Sequence, residues 1–218
     1  MFVELIATKQ TTIQNIYTMK SLKNISDRAI KSNLIKRLDK ATEAEIKDGM
    51  KWYKEAQDYA RFLSDTFNVS RKVAAGVVSA LSPGIRWERN KIDAFNLLQA
   101  VAEGKSPDDI KVCTYNANKI KAFAIAKGDA EILERSPKTF SFAMNVGELS
   151  AEHVTVDKWH MRACLTRSKK RVKTQEAPTS AQYKRVEKLT AQVAKARGLK
   201  GFELQAIVWV QIKNEWEG

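Results

Sequence analysis

Lys138 and Asp157 are the residues whose types and spacing suggest chemistry: an amine and a carboxylate, each placed where a helix should begin. In the run RSPKTFSFAMNVGELSAEHVTVDKWHMR, from Arg135 to Arg162, Ser136-Pro137 reads as a helix N-cap followed by proline at the first helical position. Lys138 and Thr139 then fall in the first turn. A cation at the positive end of a helix dipole is mildly disfavoured, which favours the free, nucleophilic amine. VTVD ends a short apolar run and KWHMRACL continues with helical character, so Asp157 is a natural N-cap. Taken singly, each residue reads as structural, because aspartate caps many helices and lysine covers most surfaces. The pair points to an amine nucleophile with a carboxylate partner.

The charge balance says what such a pair would work on. Lysines and arginines number 38 against 25 acids, a net charge of +13 with a pI near 9.7. That excess calls for a polyanionic partner, nucleic acid first, with an acidic protein or an anionic membrane surface as other choices. With 44% hydrophobic and 29% charged residues in 218, the chain can bury a real core. No run of about 18 apolar residues exists, so no transmembrane helix is expected. The opening MFVELIATKQ is too short in its apolar part for a secretory signal. Two cysteines, Cys113 and Cys164, make no disulfide framework, and a reducing cytosol is the expected compartment. HVTVDKWH brings His153, Asp157 and His160 together but falls short of the ligands zinc needs, so neither metal nor cofactor is expected.

The elements that must position the pair read as helices, and no alternating segment is long enough to argue for a sheet. Residues 43–66 space their apolar positions helically, with Thr42 and Glu45 forming a capping box. RKVAAGVVSAL is apolar all round, which predicts a central helix, and Pro83-Gly84 ends it. A helix from about Trp87 to Ala102 closes at Gly104, and short helices fit 116–127, 129–134, 137–146 and 157–167. Residues 168–178, SKKRVKTQEAP, read as a basic linker. Thr179 or Ser180 caps a helix running to Arg197, and GFELQAIVWVQIKNEW forms the last. The fold class is therefore all-α.

Four segments in register resemble the helix-hairpin-helix DNA glycosylase superfamily, the endonuclease III-like group. They are VVSALSPGIRWERNKIDAF (Val77–Phe95), CTYNANKIKAFAIAK (Cys113–Lys127), SPKTFSFAMNV and VTVDKWHMR. The likeness spans roughly residues 70–168. It implies a two-lobed helical bundle, in which 70–168 form the central glycosylase-like lobe. Helices within 1–69 and 179–218 would pack together as the other lobe, joined through the linker at 169–178. Two departures accompany the likeness. The family's hairpin is glycine-rich so that backbone amides can approach a phosphate, whereas LERSPKT has no glycine. A four-cysteine iron–sulfur cluster is excluded by the cysteine count.

The resemblance implies a DNA glycosylase, with or without lyase activity, that takes a flipped and modified base into a cleft between lobes. Lys138 would attack the sugar and form a Schiff base, and Asp157 would stabilise the cationic sugar or activate the amine. Ser82, Pro83, Arg86 and Trp87 lie in the turn that the family uses to probe DNA and line the pocket. Trp87 would stack on the base or pack between two helices. Asn90 and Lys91 open the next helix as backbone contacts, or in the case of Asn90 as a cap. Tyr115, Asn116, Lys119 and Thr139 are further backbone candidates. Arg167, Lys169, Lys170, Arg171 and Lys173 form the densest cationic stretch, a phosphate contact or a solvated linker. The expected partner is duplex DNA bound by a monomer, in the host cytoplasm if the chain is phage-encoded. Two other readings stay open: a DNA base-modifying transferase of a phage thymine-hypermodification pathway, using a small amine as co-substrate, and a non-catalytic DNA-binding protein on the same fold.

Overall fold

A computed structural model describes residues 19–167 and 172–217. Among these the chain forms nine α-helices: α1 (Asp27–Leu38), α2 (Glu43–Phe67), α3 (Arg71–Leu81), α4 (Trp87–Ala102), α5 (Asn116–Ala126), α6 (Pro137–Val146), α7 (Lys158–Leu165), α8 (Ser180–Ala196) and α9 (Gly201–Glu217). The fold is all-α. A single parallel bridge between Lys20 and Thr174 is the β pairing seen among the described residues. The segment expected as a helix over 129–134 is a 3₁₀ turn, Ala130–Arg135. It follows Gly128, whose positive φ of 107° ends α5 sharply.

The helices start where side chains satisfy their first amides. Thr42 and Glu45 form the expected reciprocal box at α2, and Thr179 with Gln182 forms another at α8. Ser26 and Ser70 cap α1 and α3. α4, α5 and α6 are different: none of Arg86, Tyr115 and Ser136 gives its side chain to a helix amide.

Two apolar cores form. The first gathers α2 through α6, around α3, whose residues from Ala74 to Leu81 are all buried. The second gathers α1, α7, α8 and most of α9. Fully buried Ile30 and Leu34 fix α1 in it, each side chain contributing about 1.5–3 kcal/mol. The division falls elsewhere than the sequence reading puts it. α2 joins the central core, because Tyr53, Ala56, Ala60 and Leu63 form one buried stripe there. α7 joins the other, through Met161, Ala163, Cys164 and Leu165.

α9 serves both cores. Phe202 and Ala206 pack into the first, Leu204, Val208 and Ile212 into the second. It crosses α2 at Gly49, where an added Cβ would lie 2.6 Å from the Ile207 Cα. Only glycine permits so close a backbone approach. That crossing sets how far apart the two cores stand.

Candidate functional site

Between the cores opens a cleft of about 1200 Å³. α2 and α9 supply Trp52, Tyr53, Gln205, Ala206 and Trp209 to its lining, and the first turns of α4, α6, α7 and α8 reach it from around the rim. Four helix N-termini thus turn their positive dipole ends toward one space. Arg86, Lys138, Lys158 and Lys213 add full charges, against Asp157 and Glu176. The arrangement favours an anionic ligand with an aromatic or planar part.

Asp157 is presented by a buried extended segment that several side chains hold from behind. The Tyr183 hydroxyl accepts from the Val156 amide at 3.0 Å and donates to the Val154 carbonyl at 2.9 Å. Glu187 accepts from the Val154 amide at 2.9 Å, and Asn145 donates to the His153 carbonyl at 2.8 Å. The Tyr53 hydroxyl reaches Thr155 at 3.1 Å. Asp157 then caps α7, its Oδ1 accepting from the His160 amide at 2.8 Å. Burial pushes its carboxyl pKa above the usual aspartate range. Hydrogen bonds from the backbone of His160 and Trp159 and from the Trp209 side chain oppose that shift, as does the charge of Lys138. The result is a carboxylate more basic than a free one, held in a fixed orientation.

Lys138 stands exposed in the first turn of α6. That turn is pinned to α3 by the Ser79 hydroxyl, which donates to the Thr139 carbonyl at 2.6 Å. The Ser136 hydroxyl spends itself on that of Thr139, 3.0 Å away, instead of capping an amide. The amine and the carboxylate therefore face one cleft from the starts of two helices, close enough to interact electrostatically.

Residues 17–216 match a family of unknown function, DUF7178. The chain belongs to that family. No curated protein and no solved structure matches it. What a DUF7178 chain does must therefore be argued from the site.

Of the residues expected at this site, the DUF7178 cleft is lined by Ser82, Arg86, Trp87, Asn90, Lys138 and Asp157. Trp87 packs against Trp52 and Tyr59, as one of its two expected roles has it, and it also lines the cleft. Pro83 stands back, its carbonyl accepting from the Thr114 hydroxyl at 3.4 Å, and Gly84 takes the lining position beside Ser82. Asn90 is buried one turn inside α4, where its amide nitrogen donates to the Val78 carbonyl at 3.1 Å. It stands inside the helix and does not cap it. Thr139 is buried, with its hydroxyl engaged by Ser136.

The remaining cations and amides lie elsewhere. Lys91 pairs with Glu88 at 2.7 Å and sits over Tyr59. Tyr115 and Asn116 are exposed at the start of α5, and the Lys119 ammonium donates to the Ile110 carbonyl at 3.2 Å. Arg167 ties α7 to α1 through Asn33 at 2.7 Å and Ser32 at 3.0 Å. Lys173 is exposed beside the bridge to Lys20. Lys169, Lys170 and Arg171 lie outside the described residues.

Sequence reasoning missed Trp52, Trp209, Gln205, Lys158 and Lys213. Trp209 sits in a helix that reads as having a strong apolar face, where spacing does not distinguish a residue of the core from one facing a cleft. Lys213, one turn after Trp209 with its ammonium 4.7 Å from that ring, was the available signal of a solvent-facing stripe on α9.

The two histidines do other work. His160 is fully buried, its Nε2 2.8 Å from the Thr190 hydroxyl. Thr190 gives its proton to the Val186 carbonyl, so His160 is the donor and its Nδ1 keeps a bare lone pair. Burial pushes its pKa down to about 4. His153 Nδ1 lies 3.3 Å from Glu187, under the ring of Phe140. No group of three or more acidic, histidine or cysteine ligands that could hold a metal occurs among the described residues, and none of their helices is long and apolar enough to cross a membrane.

Proposed function

We propose that this protein is a DNA base-excision enzyme of helix-hairpin-helix glycosylase type, which draws a flipped base into the cleft and acts at its sugar. The observation that carries the reading is the pairing of Lys138 with Asp157 in one aromatic cleft between two helical cores. Packing of α1 with α8 and α9 in a single core, as the glycosylase architecture requires, supports it. So does the ring of helix N-termini and cations, which suits the phosphates flanking an extruded nucleotide. Trp52 and Trp87, with centroids 5.5 Å apart, offer a surface on which a base can stack.

In the chemical step, Asp157 takes a proton from the Lys138 ammonium, a transfer helped by its raised basicity. The free Nζ bonds to C1′ as the C1′–N bond breaks, the departing base keeps the electron pair and takes the proton that Asp157 holds, and the proton that Nζ then sheds goes to O4′ as the ring opens. Opening of the sugar ring then leaves a protonated Schiff base between Nζ and C1′.

Borohydride, which reduces that Schiff base to a stable amine, supplies the test. Duplexes carrying an abasic site or modified pyrimidines are incubated with the protein, Lys138→Ala and Asp157→Asn. A covalent adduct that disappears in Lys138→Ala is expected. Salt-sensitive DNA binding with neither adduct nor base release would reject the lyase reading.

One observation favours a second reading. The cleft exceeds the roughly 300–1000 Å³ usual for a single small ligand, and Glu176 lines it beyond Asp157. A base plus a small cationic amine would fill it, as a DNA base-modifying transferase requires. Product analysis by mass spectrometry separates the two, because a transferase adds mass to the base and leaves the sugar intact.

A further inference from the structure

We propose that Asn90 is a specificity-determining residue of the cleft, its carbonyl oxygen accepting a hydrogen bond from an N–H of the base taken in. The inference rests on the base-flipping reading above and names what that reading leaves open, the polarity of the recognised edge.

Asn90 follows Trp87 by three positions, so the two share a face of α4, and both line the cleft. It is 1% exposed. Its amide nitrogen donates to the Val78 carbonyl at 3.1 Å, which fixes the orientation of the group, since an oxygen turned there would meet another acceptor. The Asn90 oxygen is left with no protein partner. Interiors rarely keep a buried carbonyl oxygen without a donor, and where they do the exception calls for a reason. Leucine would fill a similar volume without that penalty. Asparagine is the better residue when a ligand brings the donor.

The neighbouring chemistry narrows the ligand. A phosphodiester has no proton to give at neutral pH, so the Asn90 oxygen does not read the DNA backbone. Gln205, the other neutral amide of the lining, turns its carbonyl to the Tyr53 hydroxyl at 3.1 Å, which leaves its nitrogen as a donor. Arg86 and Lys138 are donors as well. An acceptor set among donors and beside Trp87 suits a planar base that directs an N–H toward α4. That N–H is a ring imide in thymine- or uracil-type bases and an exocyclic amine in cytosine- or adenine-type bases.

The test changes the ligand first. Four duplexes, identical but for one mispaired base, carry thymine, N3-methylthymine, cytosine or N4,N4-dimethylcytosine, and binding to the full-length protein is read by tryptophan fluorescence. In at least one pair the methylated base should bind about tenfold or more weaker than its parent, and the responding pair identifies the imide or the amine. The ratio should shrink to within about twofold in Asn90→Leu, with Asn90→Ser as the substitute where leucine disturbs packing. Because each ratio is taken within one variant, a loss of fold does not imitate the effect. Equal binding in both pairs, or a ratio that survives in the Asn90 variants, overturns the assignment and leaves base flipping standing. Mispaired duplexes bound no more tightly than a fully paired one would overturn base flipping and the assignment with it.

Discussion

Where α2 meets α9 the molecule is sealed, and within one turn along the same two helices it is open. At Gly49 and Ile207 no methyl group fits between the backbones. At Trp52, Tyr53, Gln205 and Trp209 the helices part to line a cleft of about 1200 Å³. The energetics differ as sharply as the geometry. The crossing is apolar and closed, whereas the cleft carries a desolvated carboxylate, two helix starts without side-chain caps and a buried carbonyl oxygen with no donor. These features of the cleft are ones that a ligand would compensate, on a frame too tightly packed to relax around them.

The largest test of that contrast is Asp157→Asn. As part of the site, it should slow adduct formation or base release by about 10²–10⁴-fold. As a strained residue, it should not harm the fold. Burial raises the Asp157 pKa in the folded state, so the native protein binds that proton more tightly than the unfolded chain. The ionised group therefore weakens the fold above the folded pKa, and the penalty vanishes as pH falls below the unfolded value. Asparagine keeps an oxygen for the His160 amide and removes the charge, so urea unfolding at pH 7 should show stability unchanged or raised by up to about 1 kcal/mol. A loss of 2 kcal/mol or more would make Asp157 an ordinary helix cap and erase the contrast.

His160, buried on α7 behind Asp157, should answer to pH in the opposite sense. His160 is buried neutral with its pKa pushed down to about 4, so the unfolded chain takes up its proton first as pH falls through about 6.5. Stability is full above that value and declines toward pH 4, by about 3 kcal/mol from this residue. Chemical denaturation across that range should show the decline, and His160→Gln should flatten it. Gly49→Ala comes next. The added methyl meets the Ile207 backbone, which cannot swing aside as a side chain would, and the expected loss is about 2 kcal/mol after the gain in helix propensity. If Gly49→Ala were neutral, the crossing would be slack and unable to set the width of the cleft.

Much of this was legible in the sequence. The capping box at Thr42 and Glu45, the proline at the first turn of α6 and the apolar α3 all follow from local chemistry, and their elements lie where that chemistry puts them. Of the six expected site residues that line the cleft, Ser82 follows the end of α3 and the other five stand at helix starts, positions that composition and caps mark well. The sorting of helices into cores was not legible, since the stripes of α2 and α7 say that they are buried without saying against what. Trp52 and Trp209 were hidden for the same reason. Tyr115 and Lys119, expected as backbone contacts, stand at the start of α5 outside the lining of the cleft.

The smallest expected effect sharpens the comparison most, because it changes one hydrogen bond and no charge. The Trp209 side chain donates to Asp157 and so lowers a pKa that burial raises. Trp209→Phe keeps most of the apolar surface against Trp52 and deletes the donor. The Asp157 pKa should climb further, moving the acidic limb of the activity profile to higher pH, while the rate on the plateau falls by no more than about tenfold. A residue that merely packs would lower the plateau or the stability and leave the limb in place. The direction in which the limb moves therefore tells whether the indole acts on the carboxylate or only fills space beside it.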